Sequence, residues 1–477
     1  MRAERKKSLM IAGCLAALIV IAAIVAVLLF NINSYKSRIE TAASEATGLE
    51  VRINGKMGLS FFPFGISAKD IHVANRGSEI LSLESLQIGV ALIPLLMKQL
   101  KVTGCELVKP AVTIVKDAGG KYNFESTTKI WWKGWLETAS GLNELKLSQG
   151  ALVYLDKKTG EKTELKGINL AIRDLSIADT SGEIVKNVSF TGSFDCKEIL
   201  RKDLGIENLK APMKADKGVF SLKPLTMDVF GGKGEGDVTA DESAVDPVYK
   251  LNLKVSQIDF EKLEGFFGTK KVIGGKGDLS ASLTVKEKWR RNPMSNLDGT
   301  FALRGDNLVT YTMDLDKVLS TYEASQKFHL VDLAAFFIVG PLGTVALKGY
   351  RYGDLYYQTR GGQGSITQFI SHWKVENGKA DATDCALATN HNRVALKGKL
   401  DLVSERFDNV TVALLDDKGC ALFKQTISGP FDNPRAGTVS AVESLAGPFF
   451  NLYGKAKRFV QGGKCEVFYN GEVRQPR

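Results

Sequence analysis

The sequence predicts a mainly β protein with one N-terminal transmembrane helix and a few short helices. An uncharged apolar stretch covers residues 9–30, and beyond residue 48 apolar and polar side chains alternate with a period of two. Such alternation is typical of strands that have one buried and one solvated face. With 477 residues, 44% hydrophobic and 24% charged, the chain has the composition of a folded protein with a sizeable core.

The predicted anchor is the stretch at residues 9–30. At about 1.5 Å per residue it is long enough to cross roughly 30 Å of bilayer hydrocarbon as a helix. A cleaved signal peptide is the alternative, but its apolar region is ordinarily ~7–15 residues long and no small-residue cleavage site follows here. Basic flanking residues place the N-terminus in the cytoplasm. They are Arg2, Arg5, Lys6 and Lys7.

The chain divides into four predicted regions. Residues 1–8 form a cytoplasmic tail, 9–30 the transmembrane anchor, 31–240 an N-terminal β-rich region and 241–477 a C-terminal β-rich region, with a soft boundary between the last two. No second apolar stretch reaches spanning length. Residues 333–339 come nearest and are predicted to be a buried helix.

The first element after the anchor is a predicted helix at residues 34–47, because alanines and Ile39 recur at helical spacing and Gly48 is a natural stop. Short strands follow, and the pattern of a strand, a glycine and a second strand occurs twice. The predicted strands are residues 81–90, 100–108, 111–115 and 145–154.

The clearest alternation lies in the second half of the chain. Residues 250–256 and 278–286 alternate strictly between apolar and polar side chains. Glycine-rich segments such as residues 231–236 are predicted to be the turns between strands. Helices are predicted at residues 315–337 and 440–460, where apolar residues recur at helical spacing.

Composition and motifs favour neither nucleic-acid binding nor catalysis. The net charge of +10 is spread along the chain, and no nucleic-acid-binding motif is present. The four histidines lack metal-binding spacing, and the chain has neither a nucleophile elbow nor a phosphate-binding loop. We therefore expect no enzyme activity, no cofactor, no metal site and no nucleic-acid partner.

Cysteine usage predicts one disulfide. Cys14 lies in the anchor and five cysteines follow it, so at least one of the five stays free or pairs with another chain. Cys420 and Cys465 lie in terminal elements that are expected to pair in one sheet, and an oxidising compartment would allow a bond between them. Two free buried thiols are the alternative.

Three tryptophans within five residues form a separate feature. Trp131, Trp132 and Trp135 suit a membrane interface, where amphipathic rings lie at the level of the headgroups. Packing in the core or in a capping loop suits them equally well, and both interpretations stay open.

Several segments resemble landmarks of the AsmA family, in the order that the family has them. Phe124 stands at the aromatic position of one of these motifs. The similar segments are residues 47–57 (G-x-x-V-x-I-x-G strand), 60–63 (S-x-F-P edge), 70–75 (D-V-x-L-x-N strand), 92–96 and 108–112 (the next two landmarks), 119–124 (D-G-x-x-N-W/F turn), 230–236 (Y-G-G-x-x-x-G turn) and 427–434 (G-x-x-x-x-P terminal strand).

The resemblance implies a single-pass protein of the bacterial inner membrane, with its bulk in the periplasm. It also implies an elongated, curled antiparallel β-sheet that forms an apolar groove, as in bridge-like lipid transfer proteins. The expected partners are the inner membrane, phospholipid or another lipid, and outer-membrane or periplasmic proteins.

Two functions follow as hypotheses. In the first, the groove binds or conducts lipid acyl chains in support of outer-membrane biogenesis. In the second, the same apolar faces form a closed core, and the chain is a structural scaffold or an assembly factor for outer-membrane proteins. The predicted groove floor consists of alternating residues: Leu251, Leu253, Val255, Leu279, Ala281, Leu283 and Val285.

Overall fold

The computed structural model divides into two compact units, an N-terminal unit at residues 1–195 and a C-terminal unit at residues 196–477. This division falls inside the strand Val188–Arg201, whereas the boundary predicted between residues 240 and 241 falls at the end of the strand Gly232–Asp241. The described residues are 32–61, 64–91, 94, 97, 101–125, 142–178, 183–201, 204–266, 273–286, 293–311, 314–321, 333–338, 362–431, 433–438, 440–441 and 467–476.

The described residues of the N-terminal unit form a 3₁₀ turn at Ile32–Tyr35, one longer helix, a single-turn helix and a mixed sheet. The helices are α1 (Lys36–Thr47) and α2 (Ile184–Asn187). The strands are β1 (Glu50–Ile53), β2 (Met57–Phe61), β3 (Phe64–Asn75), β4 (Ser78–Val90), β5 (Val102–Val108), β6 (Ala111–Lys116), β7 (Glu144–Asp156), β8 (Glu161–Ile177) and β9 (Val188–Arg201), which continues into the other unit.

Helix α1 confirms the first predicted element and covers one edge of the sheet. Gly48 ends the helix in the left-handed conformation (φ 68°) and donates its N–H to the Ser44 carbonyl. The Ser44 hydroxyl accepts from the N–H of Val51, and Glu40 accepts from the N–H of Ile53 at 2.6 Å. These side chains bond to β1, whose residues pair in register with β3, and so cover an edge that would otherwise expose unpaired backbone groups.

The sheet of this unit is mixed, which corrects the expectation of a purely antiparallel one. Strands β5 and β6 run in the same direction, and each pairs antiparallel with β4 and parallel with β7. Lys109, between them, has a positive φ and donates its N–H to the Ser148 carbonyl of β7. The two short strands therefore act as one bent strand, and the chain returns to β7 through a long connection, as parallel pairing requires.

Asn123 gives the motif at residues 119–124 a structural role. Its side-chain oxygen accepts from the N–H of Val115, and its amide donates to the Thr113 carbonyl, so it bonds to β6 as a strand backbone would. Asn75 of β3 donates to the Asn123 carbonyl at 2.8 Å. The predicted turn is thereby fastened to two strands of the sheet.

The described residues of the C-terminal unit form an antiparallel sheet with three short helices and a 3₁₀ turn at Pro293–Asn296. Most strands pair with their neighbour in sequence, but the two-residue strand Ile273–Gly274 is passed over, because the strands on either side of it pair with each other. The helices are α3 (Phe260–Phe266), α4 (Leu315–Thr321) and α5 (Ala334–Ile338). The strands are β10 (Leu204–Asp216), β11 (Val219–Val229), β12 (Gly232–Asp241), β13 (Val248–Asp259), β14 (Ile273–Gly274), β15 (Lys276–Lys286), β16 (Leu297–Thr310), β17 (Gly364–Glu376), β18 (Lys379–Ala388), β19 (Arg393–Asp401), β20 (Arg406–Leu415), β21 (Ala421–Pro430), β22 (Arg435–Ala436) and β23 (Ser440–Ala441).

Two-residue turns join several of these strands. In three of them both residues have positive φ and the second is glycine: Lys217-Gly218, Phe230-Gly231 and Asn377-Gly378. This is the type I′ geometry, whose twist matches that of the flanking strands. The predicted glycine turn at residues 231–236 is therefore wrong in extent, because the turn ends at Gly231 and β12 begins at Gly232.

The core of the C-terminal unit lies between one sheet face and the three helices. Phe260 and Phe337 both contact the ring of Phe369, with centroids 6.2 and 5.8 Å away. Trp373 is fully buried, and its indole N–H donates to the Ser371 hydroxyl at 2.8 Å. These large rings are buried with the indole N–H of Trp373 satisfied, as a stable core requires.

The opposite face of β17–β20 is covered by the C-terminal residues 467–476. Tyr469 and Val473 pack on a patch of small side chains that includes Ala386 and Ala395. The Tyr469 phenol donates to the Asp384 carboxylate at 2.5 Å and accepts from the N–H of Val473. Burial among these groups raises the pKa of Tyr469.

Three expectations from sequence meet the structure only in part. Among the described residues no helix is long and apolar enough to cross a membrane, and the predicted anchor at 9–30 lies outside them. The predicted helix at 315–337 is represented by α4 and α5. The helix predicted at 440–460 does not begin at Ser440, which lies in β23, and residues 442–466 lie outside the described residues.

Candidate functional site: an apolar sheet face

The seven predicted floor residues lie on one face of two neighbouring strands. In the antiparallel register of β13 and β15, Leu251 lies opposite Leu283, Leu253 opposite Ala281, and Val255 opposite Leu279. Val285, the seventh, lies opposite Tyr249. The period of two puts alternate residues on the same face, so these pairs form consecutive apolar rows across the sheet.

The other face of the same strands is polar, as predicted. Lys250, Lys254 and Asn252 are exposed. Asn252 donates to Asp237 of β12 at 3.0 Å and accepts from the Ser282 hydroxyl of β15 at 2.7 Å. This hydrogen-bonded row crosses three strands beside the Leu251–Leu283 pair, so the two faces differ completely in chemistry.

Burial changes along the apolar face. Val255 is 2% exposed, Leu279 9% and Ala281 7%, and all three belong to the core cluster. Leu253 and Leu283 are partly buried and pack against that cluster from outside. Leu251 and Val285 are half-buried, and the structure does not include them in the core. One end of the predicted floor is therefore buried in the core, and the other is only partly buried.

Helix α3 is among the elements that close the covered end. Phe260 and Leu263 of α3 are 1% and 2% exposed and belong to the same cluster as Val255. Glu264, buried on this helix, accepts from the N–H of Ile273 at 3.1 Å. The chain thus passes from β13 directly into the element that covers the face of β13.

The apolar face extends beyond the residues that sequence reasoning selected. Phe301 of β16 lies opposite Ala281, and Trp373 of β17 lies opposite Phe301, with the two rings stacked at 6.2 Å. The alternation in residues 297–303, where Leu297, Phe301 and Leu303 occupy alternate positions with Gly299, was the available signal.

Sequence reasoning also missed the role of the alternating glycines in β12. Gly234 and Gly236 lie opposite Val255 and Leu253 in register. A Cβ on Gly236 would lie 2.1 Å from the Asn252 carbonyl oxygen, which is backbone and cannot move aside. Glycine is therefore required at Gly236 by the close approach of β13.

The cysteine prediction is met in part. Cys420 is disulfide-bonded, whereas the other described cysteines (Cys105, Cys196 and Cys385) are free, so its partner lies outside the described residues. Cys465 also lies outside them, and its pairing with Cys420 stays a prediction. Burial raises the pKa of the free Cys105 thiol to about 11, which makes it unreactive near neutral pH.

Other predicted features have no structural test. Trp131, Trp132 and Trp135 lie outside the described residues. Within the described part of the chain, no three acidic, histidine or cysteine side chains are grouped so that they could hold a metal ion.

These features define a class: a mainly β protein with an amphipathic sheet, whose apolar face is buried at one end and only partly buried at the other. The AsmA family model matches residues 1–198 and 178–385, and this chain belongs to the AsmA family. The two matches overlap around the division between the two compact units. The resemblance noted at residues 427–434 lies beyond them. No curated protein matches the chain.

Proposed function

We propose that this chain is a membrane-anchored periplasmic protein whose apolar sheet face binds lipid acyl chains and conducts them in support of outer-membrane biogenesis. In this proposal residues 9–30 anchor the chain in the bacterial inner membrane and its ligand is phospholipid or a similar lipid. Membership of the AsmA family and the large β-sheet support this role.

The partly buried end of the apolar face carries the proposal. Leu251, Leu283 and Val285 continue the rows of the core in register, and each of the three is only partly buried. Burial of a methylene group is worth about 0.8 kcal/mol, so an acyl chain of ordinary length gains several kcal/mol by covering such a face. Water is the less favourable occupant of the same surface.

Lipid content of the purified full-length protein tests the proposal. We expect organic extraction and mass spectrometry to find phospholipid with the wild-type chain and less of it with Leu283→Asp, which places a charge on the apolar face. Ser280→Asp is the matched control: it adds the same charge to β15, but opposite the exposed Lys254 in register. Equal amounts of bound phospholipid in Leu283→Asp and Ser280→Asp would count against lipid binding by this face.

A scaffold function is the second candidate, and a specific observation favours it. Val255, Leu279 and Ala281 pack in an ordinary core together with three helices, so this part of the face is already occupied by protein. If the full-length protein carries no lipid and Leu283→Asp leaves outer-membrane integrity unchanged, the scaffold is the better account.

The topology has its own test. A reporter that is active only in the periplasm, fused after Arg477, is expected to be active, because basic residues precede the anchor. An inactive fusion at normal expression would contradict the periplasmic location.

A further inference from the structure

A cavity of about 540 Å³ lies within the C-terminal unit, beside the turn that joins β11 to β12. This volume is in the range of small-molecule sites in proteins. Part of its lining is apolar: Leu200, Leu204, Val229 and Phe230.

The apolar lining adjoins the face described above. Val229 belongs to the core cluster that contains Val255 and Leu279, and Leu204 and Phe230 pack against that cluster. A molecule in the cavity would therefore touch the same apolar layer that the proposed function assigns to acyl chains.

Charged residues complete the lining, with two of each sign: Lys233, Lys262, Asp228 and Glu207. Lys233 and Asp228 neutralise each other, since their N and O atoms are 2.7 Å apart, and Asn208 also donates to Asp228. Among the described residues, neither the Lys262 nor the Glu207 side chain has an ion-pair or hydrogen-bond partner, and both side chains are exposed at the cavity. One cation and one anion therefore remain available.

Lys262 lies beside the turn that joins β11 to β12. Its ammonium nitrogen lies 3.4 Å from the place that a Cβ on Gly231 would take, and Gly231 itself has a positive φ of 75°. The glycine thus leaves the ammonium group close to the backbone at the cavity.

We propose that this cavity binds the zwitterionic headgroup of a phospholipid, with Lys262 pairing with the phosphodiester and Glu207 with the ammonium group. The inference rests on the proposed function and names the lipid class. A zwitterion satisfies both free charges at once, whereas a simple anion would use Lys262 and be repelled by Glu207.

Three fluorescent probes with the same labelled acyl chain test this on the full-length protein in non-ionic detergent. They are a lysophosphatidylethanolamine, a lysophosphatidic acid and a monoacylglycerol. Wild-type protein is expected to bind the first most tightly. Lys262→Gln should weaken both phosphate-bearing probes about three- to tenfold, and Glu207→Gln should weaken only the lysophosphatidylethanolamine.

Two control variants lie on the polar face. Glu235→Gln and Lys254→Gln change exposed residues that are register partners in β12 and β13, and should leave all three affinities unchanged. Equal affinity of all probes, in wild type and variants, would overturn the headgroup site and leave acyl-chain binding standing. Tightest binding of lysophosphatidic acid would overturn the proposal that the headgroup in the cavity is zwitterionic. Binding of no probe would overturn the proposed function as well.

Discussion

Leu251 of β13 lies directly opposite Leu283 of β15, and both side chains are half-buried. Along the same two strands, Val255 and Leu279 are also opposite each other, yet both are buried in the core. One apolar face thus changes from fully to partly buried over a few residues. The variants below use that difference.

A charge is expected to be tolerated at Leu283 and not at Leu279. Leu279→Asp would bury an unpaired carboxylate and should lower the free energy of unfolding by at least about 3 kcal/mol. The carboxylate introduced by Leu283→Asp can reach water, so this variant should lower the free energy of unfolding by only about 1 kcal/mol. Urea unfolding of both variants measures the difference. Equal losses would mean that the face is closed at both ends.

Gly236 is expected to be irreplaceable by alanine. A methyl group would lie 2.1 Å from the Asn252 carbonyl oxygen, so β12 and β13 would have to separate, at a cost of about 2–4 kcal/mol. Gly265→Ala is the control, because nothing lies within 4 Å of its Cβ position in helix α3. That variant should be neutral or up to about 1 kcal/mol more stable. Thermal unfolding of the two proteins compares them.

The hairpin of β3 and β4 is expected to weaken as the pH rises above about 6.5 and through the folded-state pKa of His72. Hydrogen bonds to Glu79 (2.5 Å) and then Asp70 (3.0 Å) raise the pKa of His72 above its usual value of about 6.5. Because the pKa is higher in the folded state, the protonated His72 ring stabilises the fold fully below about pH 6.5. This stabilisation is lost as the pH rises through the folded-state pKa.

A proton NMR titration of the His72 ring measures that pKa directly. Glu79→Gln removes the carboxylate hydrogen bond that contributes most to the raised pKa of His72, so it should move that pKa downward. An unchanged midpoint in Glu79→Gln would contradict the assignment.

The disulfide of Cys420 is expected to join it to Cys465. In denatured, non-reduced protein, alkylation should label Cys105, Cys196 and Cys385 and leave Cys420 and Cys465 unlabelled. Closing the loop between them should stabilise the fold by about 3–5 kcal/mol if unstrained, so a reductant should lower the melting temperature. Labelling of Cys465 would show that the partner is another cysteine.

The strand alternation at residues 250–256 and 278–286 was sufficient to predict the amphipathic face. Each strand needs only its own pattern to divide its side chains between two faces, and the structure places all seven predicted residues together. The same local information gave helix α1 and its end at Gly48. The type I′ turns at Lys217-Gly218 and Asn377-Gly378 also carry a local signal, in the second-position glycine.

Other features depend on residues far apart in the chain. The alternation could not say which part of the apolar face is covered, because the cover includes contacts such as Phe260 with Phe369. The parallel pairing of β5 with β7 was missed for a similar reason, since strand direction is set by how the intervening chain returns and not by the pattern within a strand.

By itself, the sequence determined which residues are apolar, which of them share a face, and the family to which the chain belongs, because these are properties of local pattern and motif order. Only the tertiary structure decided that Val255 is buried in a core while Leu251 is half-buried. It alone also decided that Lys262 lies close to Gly231 at a cavity. Burial and charge pairing depend on what other parts of the chain bring to a residue, and no local pattern contains that information.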